Sequence, residues 1–169
     1  MPFLPPVQPD KPGPGQESVW DYPRPPRLEP VPDTLHIEFA GREILRTTAA
    51  YRVLETSHPP TYYMPPDDFV PGVLRPVDAA ASFCEWKGRA SYFDIAVDAA
   101  TAERAAWAYP QPTPRFEAIA NFVCVYCHAM DACWVGNDRA SPQPGNFYGG
   151  WVTPRVVGPF KGEPGTMHW

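Results

Sequence analysis

The sequence predicts a mainly β protein: a single compact antiparallel sheet or barrel, with one short helix and a proline-rich N-terminal arm. Three observations carry this expectation. Apolar residues recur with period two in several short runs. Gly-containing turns separate such runs at hairpin spacing. The chain also carries 25 Pro and 12 Gly among 169 residues, which interrupts it too often for long helices. That length suits one domain built on one core.

Residues 1–33 read as the arm, because PFLPP, KPGPG, YPRPP and EPVP fix φ and remove donors. Such a segment runs extended over a surface and cannot join a central strand. Trp20, Tyr22 and Leu28 are its apolar anchors. YPRPP reads either as packed surface or, less well, as a ligand for a proline-binding module.

Residues 34–169 read as the β-domain. Leu35, Ile37 and Phe39 alternate with His36 and Glu38, then Ala40-Gly41 turns into Glu43-Ile44-Leu45, a hairpin. Arg52–Glu55 and Thr61–Met64 follow as short extended runs around Ser57-His58-Pro59-Pro60. Residues 82–86 and 90–97 predict a second hairpin turning at Gly88. Ala105–Tyr109 reads as a further strand, with a helical turn as the alternative because residues 99–108 are alanine-rich. Thr113-Pro114 resembles a helix N-cap with proline in the first turn, followed by strands at 121–127 and 131–135. The tail from Pro142, broken by Gly, Pro and aromatics, wraps the sheet.

Composition narrows the function. Fourteen Lys and Arg against 19 Asp and Glu give a net charge of −5, which argues against nucleic acid or an anionic membrane as partner. No apolar run reaches the roughly 18 residues of a membrane span. The N-terminal stretch lacks a basic n-region and an apolar h-region, so a cytoplasmic protein with reduced thiols is expected. Cys124 and Cys127 have the C-x-x-C spacing, but in a strand they point to opposite faces. No metal and no cofactor is expected on that ground.

Several residues have types suited to chemistry. Glu55, beside apolar residues and phenols, is either a general base or one half of an ion pair. Cys84 near Lys87 is a candidate nucleophile, opposed by the charge of Glu85, and a structural thiol is the stronger reading. His58 has the chemistry of a proton shuttle, although a loop histidine before two prolines reads better as exposed. Lys161, among glycines, lacks the context of a phosphate loop and reads as part of a wrapping turn that reaches a buried carboxylate. Tyr62, Tyr63, Trp86, Tyr92, Trp107 and Tyr109 are candidate walls of a ligand pocket, with Lys87 and Glu55 orienting the ligand.

The runs ESVWDYPRPPRLEP, RVLETSHPPTYYMPPDD, CEWKGRASYFDI, AAWAYPQPTPRFEAI and QPGNFYGGWVTPRVVGPFKGEPGT resemble a mainly bacterial family of unknown function whose label mentions nucleotidyltransferase. The resemblance implies one small β-domain similar to the β-tent or Mss4-like fold, shared with methionine sulfoxide reductase B and the cereblon ligand-binding domain. Those relatives often hold zinc through two CxxC pairs, whereas this chain has one. Glu55, Tyr62, Tyr63, Cys84, Lys87, Gly88, Tyr92, Trp107 and Tyr109 match family positions. The reading that follows is a domain binding a small molecule in an aromatic pocket. The alternatives are an enzyme using Glu55 as acid or base or Cys84 as nucleophile, and a structural protein that self-associates as a homo-oligomer.

Overall fold

The computed structural model describes residues 6–78, 83–84, 86–145 and 147–169. The described chain is mainly β, with its strands divided among several small, mostly antiparallel sheets and no closed barrel. Ser82 and Glu85 of the expected second hairpin lie outside the described residues.

One four-stranded sheet runs in the order Asp138–Arg139, Ala132–Val135, Leu35–Phe39, Arg42–Thr47. Its central hairpin is the one expected from the alternation at 35–45. A second runs Val123–Val125, Ala100–Ala108, Ser91–Val97, Leu74–Pro76. A three-stranded sheet, Arg27–Pro30, Tyr51–Leu54, Thr61–Tyr63, continues into the second through the bridge between Met64 and Val123. Arg27–Pro30 sits at an edge, where a strand containing proline is tolerated.

Two local expectations change. Ser91–Val97 pairs with Ala100–Ala108, so its hairpin partner lies after it; Phe83–Cys84 pairs with Gly88–Arg89. The alanine-rich run is a strand because it is the middle of this sheet, paired on both sides, and cross-strand pairing overrides the helical preference of alanine. The one six-residue helical element, Pro114–Ile119, is a 3₁₀ segment. Thr113 precedes it as expected, but its hydroxyl makes no cap bond and donates instead to the Trp86 carbonyl at 2.6 Å. That bond ties the segment to the Gly88 turn.

The joined sheets separate two apolar clusters, and period-two alternation decides which residue enters which. Tyr62, Ala106, Val123 and Val125 face the main core with Leu35, Ile37, Ile44 and Trp151. Tyr63, Trp107, Tyr109 and Cys124 face the other way, joining Val53, Phe116 and Ile119. Val19, Tyr22, Leu54 and Val156 form a third cluster, built where Glu17–Ser18 pairs in parallel with Val156–Val157. The tail thus returns to the arm, and Trp20 of the arm packs edge-on against Trp169 at 5.2 Å. No helix among the described residues is long and apolar enough to cross a membrane.

Candidate functional site

A cavity of about 510 Å³ opens over the second cluster. Its floor follows from strand periodicity. Trp107 and Tyr109 are two apart on one strand, Tyr92 is the register partner of Trp107, and Tyr126 is two beyond Cys124, the partner of Trp107 on the other side. All four rings therefore project from the same face. Trp107 and Tyr126 pack with centroids 4.6 Å apart.

The opposite wall comes from remote segments. The loop after Tyr51–Leu54 contributes Glu55 and His58, the Gly88 turn contributes Phe83, Cys84, Trp86 and Lys87, and the tail contributes Gln143, Phe147, Tyr148, Gly149 and Lys161. Gly88 has φ +102°, which lets the turn bring Lys87 back over the rings of Tyr63 and Tyr109, 5.7 and 5.5 Å from their centroids. Gly149 is required by proximity, because a Cβ there would sit 2.0 Å from Cη2 of Trp107. The tail is strapped down by Lys161 N–H donating to the Ser57 carbonyl and Trp151 N–H to the Pro60 carbonyl, both 2.9 Å.

Seven of the nine candidate residues named from the sequence line this cavity: Glu55, Cys84, Trp86, Lys87, Tyr92, Trp107 and Tyr109. Tyr63 lies fully buried beneath them, its hydroxyl beside the Cys124 thiol. Tyr62 is a correction. It points to the other face, against Trp151 at 5.2 Å, because adjacent strand residues cannot share a side. His58 is a second correction: its side chain is 13% exposed and stands edge-on to Tyr148 at 4.9 Å. Lys161 is a third, since its ammonium lies over Tyr148 at 5.6 Å and donates to the Trp169 main-chain oxygen at 3.1 Å.

Charge in the cavity is unevenly compensated. Glu55 lies 3.3 Å from Arg24 and 3.5 Å from Nε2 of His58. Lys87 and Lys161 meet no Asp or Glu side chain among the described residues. Burial, and then the positive charge of Lys161, Arg24 and Lys87, push the His58 pKa down to about 3 against an opposing hydrogen bond from Gln143. Burial raises the Tyr63 and Tyr109 hydroxyls and the Cys124 thiol well above their usual ranges, so none of them is an anion at neutral pH.

Cys124 and Cys127 do not converge, since Cys124 faces the second cluster and Cys127 the main core. Cys127 instead neighbours Cys133, whose thiol is held above its usual range by a hydrogen bond with the Cys127 thiol and by burial. Among the described residues no group of three or more His, Cys, Asp or Glu side chains is placed to share a metal ion.

The residues that the sequence reading passed over are Tyr126, Gln143, Phe147, Tyr148 and Gly149. Period two from Cys124 points to Tyr126; the others belong to the tail, where no periodicity exists to read.

Fold and cavity thus define a small β-domain with an aromatic pocket closed by its own tail. The chain belongs to the family described as Domain of unknown function (DUF427), whose model, named NTP_transf_9, matches residues 27–136. No curated protein matches it. The matched region carries the pocket floor and Lys87, while Gln143, Tyr148 and Lys161 lie beyond it.

Proposed function

We propose that this protein binds a small organic molecule in the aromatic pocket. The carrying observation is convergence: the floor strands and three segments far apart in sequence together bring eight aromatic rings, two lysines and one carboxylate around a single cavity of about 510 Å³, within the roughly 300–1,000 Å³ usual for ligand sites. A hydrophobic core alone has no use for charged groups on its lining.

Thermal denaturation in the presence of a panel of aromatic and heteroaromatic metabolites tests this. A ligand present at about 100 times its Kd stabilises the fold by about 2.7 kcal/mol, and Trp86→Ala, at a half-buried position on the rim, abolishes that shift. A panel without a stabilising compound, or one whose effects survive Trp86→Ala, rejects the reading.

An enzymatic reading is favoured by one further fact: Glu55, His58 and Cys84 share the cavity. In it, Glu55 is the acid or base, or Cys84 the nucleophile. Glu55→Gln or Cys84→Ser would then retain ligand while ending its turnover. The rim residues Phe83 and Phe147, 79% and 76% exposed, support self-association as the remaining reading, tested by sedimentation of Phe83→Ser. The four unpaired cysteines support a reducing, cytoplasmic setting, and the small antiparallel sheets support kinship with the β-tent fold.

A further inference from the structure

We infer that the ligand is an organic anion: a ring-bearing molecule whose carboxylate, phosphate or sulfonate sits against Lys87, Lys161 and the Nε2–H of His58. This rests on the pocket being a ligand site and adds the charge of what it takes.

The donors are fixed by a hydrogen-bond chain that starts at Gly150. Its N–H donates to Oε1 of Gln143 at 3.1 Å, which assigns the amide. The two protons on Nε2 of Gln143 then go to the Lys161 carbonyl at 2.9 Å and to Nδ1 of His58 at 3.0 Å. Gln143 is 2% exposed, and both of its donors are spent. Nδ1 of His58 is therefore an acceptor, and the single imidazole proton resides on Nε2. That N–H lies 3.5 Å from Glu55, too long for a good hydrogen bond, and remains free to donate to a ligand.

The accounting of charge agrees. Arg24 compensates Glu55, leaving Lys87 and Lys161 as two cations without an Asp or Glu partner among the described residues. Both lean on tyrosine faces, which holds an ammonium in place while compensating it only partly. Lys161 spends one donor on Trp169 and keeps two. The depressed pKa of His58 reports the same field, since three cations contribute to it after burial. An anion entering here gains charge-assisted hydrogen bonds in a site that is partly shielded from water. The rings of Trp86, Tyr92, Trp107 and Tyr126 meanwhile offer flat faces for the body of the molecule. Glu55, the one carboxylate of this wall among the described residues, suits an N–H or O–H elsewhere on it.

Two fluorescent probes with one ring skeleton test the inference: 8-anilinonaphthalene-1-sulfonate and its neutral counterpart N-phenyl-1-naphthylamine. The full chain at pH 7.5 is expected to bind the sulfonate about tenfold or more tightly than the amine. The double variant Lys87→Met/Lys161→Met brings that ratio to about one. The sulfonate also raises the His58 pKa, read by NMR titration of the wild type, which places the anion beside the imidazole and does not depend on any variant folding. Equal binding of the two probes, an unchanged ratio in the double variant, or an unmoved His58 overturns the anion while leaving the pocket standing. If neither probe binds, the pocket reading itself falls.

Discussion

Two clefts of the molecule use cations in opposite ways. The second, of about 380 Å³, is bounded by Glu17, Glu29, Asp33, Arg52 and Arg155. There each guanidinium is saturated: Arg52 bonds Glu17 and Glu29, both at 2.7 Å, and Arg155 bonds Asp33 and Asp138 at 2.7 and 2.6 Å. Burial works against ionised Glu17, yet hydrogen bonds from Arg52 and Tyr22 hold its pKa below the usual carboxylate value. These bonds clamp the arm and the tail to the sheets. In the aromatic pocket the cations are lysines, whose flexible stems and compact heads rest on rings with no Asp or Glu partner among the described residues. A paired charge stabilises the fold; an unpaired one beside a cavity is what the proposed ligand site requires.

This contrast is open to experiment from both sides. The largest effect is expected from Gly149→Ala, which drives a methyl group into Trp107. Unfolding in urea should show a loss of about 3 kcal/mol, at the upper end for overpacking, together with loss of probe binding. Arg52→Met should cost about 1–2 kcal/mol, less than the ~3–5 of a fully buried broken pair, because Glu17 is 40% and Glu29 32% exposed. It should leave probe binding intact, and a binding defect without a stability loss would reverse the assignment of that cleft. Lys87→Met and Lys161→Met, made singly, should move stability by no more than about 0.5 kcal/mol. A loss of 2 kcal/mol from either would make that lysine structural.

Acid provides a subtler test. The His58 pKa is lower in the folded protein, about 3, than its ordinary value of 6.5, so the unfolded chain binds the extra proton first. Its contribution is fully present above pH 6.5, falls by about 1.4 kcal/mol per pH unit below that, and levels off near pH 3. Urea midpoints between pH 7 and 4 should therefore fall more steeply for wild type than for His58→Gln. Lys161→Met should soften the slope by removing one of the repelling charges. Parallel curves for all three proteins would show that His58 protonates as freely folded as unfolded. The smallest effect is kinetic: Cys84, the half-buried thiol, should be alkylated by iodoacetamide before the buried Cys124, Cys127 and Cys133, as peptide mapping would show.

How far the site was legible depended on periodicity. Leu35–Phe39 and its partner declare themselves because one face is buried and the other wet. Trp107 and Tyr109 share a face for the same reason, and that spacing should also have separated Tyr62 from Tyr63 and drawn Tyr126 into the floor. His58 escaped because its burial depends on Gln143, 85 residues away, and on a tail held by isolated main-chain bonds. Nothing local to Ser57-His58-Pro59-Pro60 records that cover.

What the sequence by itself determined is the β character, the hairpin at 35–45, the turn at Gly88 and the ring-rich strands, because each arises from contacts between near neighbours or from a residue's own φ preference. What only the tertiary structure decided is which loop and which tail close over those rings, that His58 is buried and neutral, and that two lysines meet no Asp or Glu side chain among the described residues. Those features arise from pairings across the length of the chain, where the geometry of packing rather than local preference selects the partner.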